Sequence, residues 1–199
     1  PTHGPYSGNT LITITISEIQ RVEKSMLSYD PYCLFGSAQV PARFVNSTAV
    51  QCTSPPHSSL EGGVEAIRIG LHQEITSDKM IFTYDSATTS VSINPTFGTI
   101  DGGTIVNITG TSILGRNCTG FCAFDDAIVR ADLCIDGLMT CHTPPKIRVG
   151  EVIVTYTLNG VDYMNNTFLT YDYVEHPIVT RIDPSRGPTT GGTVVRVVY

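Results

Sequence analysis

The side chains best able to do chemistry in this sequence are its six cysteines, and their spacing is regular. Cys33 and Cys52 stand 19 residues apart, Cys122 and Cys141 stand 19 apart as well, and the second pair follows the first at a constant 89. Thiols at a repeated spacing either cross-link in an oxidising compartment or hold a metal. An even number in a chain of 199 residues favours cross-linking. The repeat then pairs Cys33 with Cys52 and Cys122 with Cys141, and leaves Cys118 and Cys134 as an additional bridge of the second copy. Alternation agrees, because Cys33 shares a face with Phe35, Cys52 with Val50, Cys122 with Phe124 and Cys141 with Met139, all of them core-type residues. Each bridge closes a loop of about 15–20 residues and stabilises by roughly 3 kcal/mol in the chain-entropy model. The rival chemistry is a zinc site built from Cys118, Cys122, Cys134, Cys141 and His142, in which Cys118 and Cys122 have acceptable ligand spacing. The first copy keeps only two of these cysteines, too few for a closed site, so no metal is expected.

A second chemistry is written in four N-x-Ser/Thr sequons at Asn46, Asn107, Asn117 and Asn165. Together with the cysteines they point to the secretory pathway, with N-linked glycans and no cofactor. Asn107 is the best acceptor on the pattern alone, because it alternates outward between the apolar Val106 and Ile108. Asn117 is the poorest, because the adjoining Cys118 can be committed to a disulfide first.

Catalysis finds no support. The histidines, His3, His57, His72, His142 and His176, are scattered and sit in no nucleophile or metal motif. Ser58-Ser59 beside His57 reads as a loop, and Asp125-Asp126, which with Asp132 or Asp136 could offer calcium carboxylate oxygens, reads more simply as a solvated pair after a strand. Net charge is −6 with 15% charged residues, so no basic stripe is available for nucleic acid. No apolar run approaches the roughly 20 residues that span a bilayer, so no direct membrane insertion is expected in this segment.

These residues must be positioned by a repeated unit. Pro1-Thr2-His3-Gly4-Pro5-Tyr6-Ser7-Gly8-Asn9-Thr10 returns as Pro95-Thr96-Phe97-Gly98-Thr99-Ile100-Asp101-Gly102-Gly103-Thr104, and again as Pro184-Ser185-Arg186-Gly187-Pro188-Thr189-Thr190-Gly191-Gly192-Thr193. Cys52-Thr53-Ser54-Pro55-Pro56 returns as Cys141-His142-Thr143-Pro144-Pro145, and Phe82-Thr83-Tyr84-Asp85 is matched with Leu169-Thr170-Tyr171-Asp172. The first copy carries five extra residues around Ser17–Asp30, a polar loop whose only helical candidate is Ser17–Leu27. Alternation predicts strands at Leu11–Ile16, Val64–Ile69, Met80–Tyr84, Ile105–Thr109, Glu151–Thr157, Phe168–Tyr173 and Val194–Tyr199, and Asn159-Gly160 predicts a two-residue hairpin before Val161–Tyr163. The Gly-Gly-Thr elements open strands rather than helices, so they do not form a phosphate cradle. Short strands in units of this size predict a β-sandwich. Cys33 and Cys52 read as too close for the inter-sheet disulfide of an antibody domain, and no tryptophan is present, so a different sandwich family is indicated.

The run Ile93-Asn94-Pro95, Gly98, Gly102-Gly103-Thr104, Val106, Ile108, Gly110, Cys122, Phe124, Cys141, Pro144-Pro145, Asn159-Gly160 and Phe168-Leu169-Thr170-Tyr171 resembles the IPT/TIG family. The first copy departs from it at Asn9, where a second glycine is expected, and lacks the Asn-Gly pair. The resemblance implies an all-β chain of tandem Ig-like sandwiches arranged end to end: one domain over 1–88, a second over 89–176, and over 177–199 the first strand of a third. The family spans plexin-like receptor ectodomains, secreted polysaccharide-associated proteins and Rel-type transcription factors. The chain is expected to be a structural or adhesive module of an extracellular glycoprotein, no enzyme, with a filament building block as the first form and the stalk of a plexin-like receptor as the second. Its partners are then other proteins, through self-association or neighbouring repeats. Pro184–Tyr199 either continues a longer array, the preferred reading, or adds a strand to a neighbour.

Overall fold

The computed structural model describes residues 1–16, 30–71, 74–75, 79–86, 90–111, 113, 118–164 and 169–199. The helical candidate Ser17–Leu27, His72, Asn117 and Asn165 lie outside the described residues. The regular structure described is all strand.

In domain 1, β1 (His3–Pro5), β2 (Leu11–Thr15), β3 (Pro31–Phe35), β4 (Ala38–Asn46), β5 (Ala49–Thr53), β6 (Gly63–Leu71), β7 (Glu74–Ile75) and β8 (Met80–Asp85) lie in the order β1-β8-β6-β3-β4-β5-β2, with β7 on β6. β4 pairs with β3 through Ala38–Pro41 and with β5 from Ala42 onward, so one strand passes from the first layer to the second. Alternation decides what is buried: Ile12 and Ile14 of β2 are inside while Leu11 faces out. They meet Val50 and Cys52 of β5 and, from the other layer, Cys33, Phe35, Ile67, Ile69, Phe82 and Tyr84.

Domain 2 contains β9 (Val91–Asn94), β10 (Phe97–Thr99), β11 (Ile105–Gly110), β12 (Phe121–Phe124), β13 (Ala127–Arg130), β14 (Leu133–Ile135), β15 (Leu138–His142), β16 (Gly150–Thr157) and β17 (Leu169–Val174). They form a five-stranded sheet, β10-β17-β16-β12-β13, and a four-stranded sheet, β14-β15-β11-β9. Where β4 runs on unbroken, β13 and β14 are separated at Ala131 and Asp132, whose amides donate to Gly120 O and Thr140 O. Each core holds the same aromatic triad. Phe35, Phe82 and Tyr84 stack edge-on at 5.8 and 5.0 Å, and Phe124, Tyr171 and Tyr173 repeat the same two spacings. Such pairs add roughly 0.5–1.5 kcal/mol each beyond their burial.

The triads correct the sequence alignment. Tyr84 corresponds to Tyr173, not Tyr171: β1 pairs Gly4 with Tyr84 and β10 pairs Gly98 with Tyr173. The sequence match was shifted by two residues, and an even shift keeps every side chain on its face, so alternation could not expose it.

The repeated Gly-Gly-Thr element is a backbone clasp. Asn9 N donates to Ser54 O and Ser54 N to Thr10 O; Gly103 N donates to Thr143 O and Thr143 N to Thr104 O. Gly8 and Gly102 both have φ near +75°, as do Asn9 at 73° and Gly103 at 77°. A Cβ on Gly102 would lie 2.6 Å from Thr143 O and 2.7 Å from Pro144 C, whereas a Cβ on Gly103 would meet nothing within 4 Å. The first glycine is therefore demanded by space and the second only by dihedral angle, which asparagine tolerates. The departure at Asn9 is thus conservative in shape.

The third copy is a ribbon, not a single strand. β18 (Arg181–Asp183) pairs with β19 (Arg196–Val198) in the register that β9 makes with β11. Ile182, Val195 and Val197 remain about half exposed.

Gly102→Ala should cost about 3 kcal/mol or more, from left-handed strain plus the backbone clash. Gly103→Asn should cost less than about 1 kcal/mol, because asparagine adopts this conformation routinely. Urea midpoints of the two variants check this; equal losses would contradict the clasp.

Candidate functional site: disulfide pins and the interdomain joint

The cysteines pin layer to layer. Cys33 of β3 is bonded to Cys52 of β5, and Cys122 of β12 to Cys141 of β15, both with Cα atoms 6.4 Å apart. All four are buried at the centre of their cores. Cys118, just before β12, is bonded to Cys134 of β14 with Cα atoms 6.2 Å apart. The expectation that a 19-residue spacing is too short to join two sheets is overturned. The intervening chain switches layers, through β4 in domain 1 and through β13 and β14 in domain 2, so the two cysteines arrive face to face. No cysteine is free, so the thiolates required by the zinc alternative are consumed, and His142 Nδ1 instead lies 2.7 Å from Asp132 Oδ2.

Each pin leads into the clasp. The prolines after Cys52 and Cys141 receive a hydrogen bond from a core tyrosine, Tyr84 OH to Pro55 O at 2.9 Å and Tyr173 OH to Pro144 O at 2.8 Å. Burial pushes both phenols from 10.0 up to about 12, with Glu65 adding to the rise at Tyr84 and Tyr171 at Tyr173.

The clasp of domain 1 also touches domain 2. Thr10 Oγ1, fully buried, donates to Asp162 Oδ2 at 2.7 Å, and Asn159 Nδ2 donates to His3 O at 2.9 Å. Asn159 is itself buried, and its Oδ1 gathers the amides of Val161 and Asp162 and the Thr157 hydroxyl, while Nδ2 also donates to Asp162 Oδ2 at 2.7 Å. The two-residue hairpin read at Asn159-Gly160 is therefore not formed. Thr157 bridges Tyr163 across a loop of Leu158–Asp162, and of the Asn-Gly pair only Gly160 has positive φ. The asparagine is used for its side chain, as an Asx knot that stiffens a loop aimed at the preceding domain. In domain 1 the equivalent connection is shorter, because Gly70 pairs with Ile75 and Leu71 with Glu74, leaving only residues 72–73 between the strands. On the receiving side, His3 Nδ1 lies 2.9 Å from Asp85 Oδ2, both buried, where domain 2 has Phe97 and Val174. No sequence signal marked Thr10, His3, Asp85 or Asp162 as joint residues; the one hint was that the Asn-Gly pair occurs in one copy and not the other.

The IPT/TIG domain model matches residues 1–84 and again 89–173. The chain belongs to the IPT/TIG family. It is 30% identical over 161 residues to mouse fibrocystin-L, a match covering 77% of this chain and 4% of that protein. It is 26% identical over 199 residues to rat plexin-B3, covering 99% of this chain and 10% of that one. The fold resembles the solved full extracellular region of plexin A4, with a TM-score of 0.60 and 20% identity over 92% of this chain and 16% of the other. The chain thus spans a small part of these relatives.

Elsewhere on the two IPT/TIG domains the remaining candidates are paired or dispersed. Lys146 Nζ lies 3.6 Å from Asp125 and 3.5 Å from Asp126, so the suggested calcium pair faces a cation instead, and Asp132 is held by His142. Among the described residues no cluster of three metal-type side chains occurs. His57 lies against the Tyr84 ring and His176 against Asp101. Asn46 is exposed at the β4–β5 turn, and Asn107 is half-buried in mid-strand.

Two outcomes follow for this pair of domains. A double-mutant cycle of Thr10→Val and Asp162→Ala should show a coupling of up to about 1.5–3 kcal/mol, the range for a hydrogen bond to a charged group, this one being part-buried; strictly additive losses would mean the joint carries no energy. At high pH, Tyr84 and Tyr173 ionise near 10.0 when unfolded and about 12 when folded, so their contribution is whole below pH 10.0 and is lost as pH rises toward 12. Tyr84→Phe with Tyr173→Phe should lower stability at neutral pH yet flatten its decline across that window, which denaturation at stepped pH will read.

Proposed function

We infer that this chain is a stretch of stalk in a cell-surface receptor ectodomain, where IPT/TIG domains hold a binding head away from the membrane and do no catalysis. The single observation that carries this is the buried polar joint, in which Asp162 and Asn159 of one domain grip Thr10 and His3 of the preceding one. A spacer needs defined angles between its domains, and a buried hydrogen-bonded joint gives them where a bare linker would not. The chain is extracellular, in keeping with three disulfides and with the extracellular plexin region that it resembles. Its partners are other proteins, first of all its own neighbouring domains, and its sequons carry N-linked glycans. The stalk is favoured over the filament, because the joint explains intramolecular order without any contact between chains.

The parent protein should be labelled on intact animal cells by a membrane-impermeant amine reagent, and Cys33, Cys52, Cys118, Cys122, Cys134 and Cys141 should resist alkylation before reduction. Labelling only after permeabilisation, with Cys33 and Cys52 free, would overturn this reading.

A further inference from the structure

The two described sequons are held in opposite ways. Asn46 is exposed where β4 turns into β5, and its Oδ1 accepts the Thr48 backbone N–H at 2.8 Å and the Thr48 hydroxyl at 3.1 Å. Both bonds draw electron density toward Oδ1, and through amide resonance they leave the Nδ2 protons easier to remove. Nδ2 has no hydrogen-bond partner among the described residues. The hydroxyl that defines the sequon is thus already folded back onto its asparagine.

Asn107 has none of this. It sits in the middle of β11, between Asn94 of β9 and Thr140 of β15, in a ladder paired on both sides. An extended strand carries the side chain two residues on to a point roughly 7 Å away. Its sequon threonine is engaged elsewhere, Thr109 Oγ1 lying 2.8 Å from Ser92 Oγ across the strand pair. To bring Thr109 back onto Asn107, β11 must leave both neighbours.

We propose that Asn46 is a glycan acceptor in the folded protein, whereas Asn107 accepts a glycan only before β9, β11 and β15 have paired. In the transfer step Asn46 Nδ2 attacks the anomeric carbon of a sugar carried on a lipid pyrophosphate. The N–C bond forms, the bond from that carbon to the pyrophosphate oxygen breaks, the lipid pyrophosphate leaves with the electron pair, and the Nδ2 proton passes to a base of the transferase. The position suits a stalk. β2 begins beside Thr10 at the joint and ends at Thr15, and Ile16 N then donates to Thr48 O, so Asn46 stands at the end of domain 1 remote from domain 2. A glycan there leaves the joint clear. The biological use of the site rests on the extracellular reading, but the chemistry does not.

The test is made outside the cell. Oxidised, unglycosylated chain with Asn117→Gln and Asn165→Gln is given a purified oligosaccharyltransferase and a lipid-linked oligosaccharide, and glycopeptides are counted by mass spectrometry. Asn46 should be modified on the folded chain and Asn107 at least about tenfold more slowly, since modification there waits on local opening of a central strand. Reduction and unfolding should erase the difference. Thr48→Ser should retain transfer to Asn46 and Thr48→Ala should abolish it. Equal rates at the two sites on the folded chain, or refusal of Asn46, would overturn the proposal. Success here with no glycan on protein from cells would tell against the extracellular reading instead.

Discussion

At one pole of each domain, a Gly-Gly-Thr or Gly-Asn-Thr backbone in left-handed conformation exchanges hydrogen bonds with the residue two beyond the buried cysteine, and the rest of the structure hangs from that exchange. The pin brings β5 or β15 against the opposite layer. The clasp fixes where that strand ends, and the tyrosine hydroxyl closes on the proline that follows. Gly4 and Gly98 lie so close to the clasp threonine that a Cβ would strike its hydroxyl, so the turn and the strand beside it are specified together. In domain 1 that immobilised threonine presents its hydroxyl to the next domain.

The copies diverge where their surroundings diverge. Thr10 is wholly buried and bonded to Asp162, while its counterpart Thr104 is only half-buried; His3 and Asp85 form a buried pair, while the counterpart Phe97 is 61% exposed. Only His3 Nδ1 is engaged in this pair, His3 Nε2 being buried without a hydrogen-bond partner among the described residues, while the His3 backbone carbonyl takes a bond from Asn159 across the joint. One repeat therefore supplies both a common scaffold and a position-specific socket. The tie from linear repeat to stalk runs through those few hydrogen bonds rather than through sheet packing between domains.

Much of this was legible in the sequence, because repetition acts as an internal control. The pairing of the matched cysteines, the strand alternation of Ile12 and Ile14 or Val106 and Ile108, and the equivalence of Asn9 with a glycine all follow from two copies read side by side. What was not legible depended on long-range geometry. The crossing of β4 between layers leaves no local mark, so the reach of Cys33 to Cys52 was underestimated. Asn159-Gly160 carries the signature of a tight turn, but the tertiary contact with His3 uses the asparagine side chain and widens the loop. Alternation reports that Asn107 faces outward from its strand, but not that its sequon threonine, Thr109, is engaged by Ser92 across the strand pair.

The central claim is that the two domains are coupled through the Thr10–Asp162 and His3–Asn159 bonds. Backbone amide relaxation measured by nuclear magnetic resonance on residues 1–176 tests it most directly. One rotational diffusion tensor should describe both domains, and Asp162→Ala should split it in two. Independent tumbling in the unmodified chain would contradict the account.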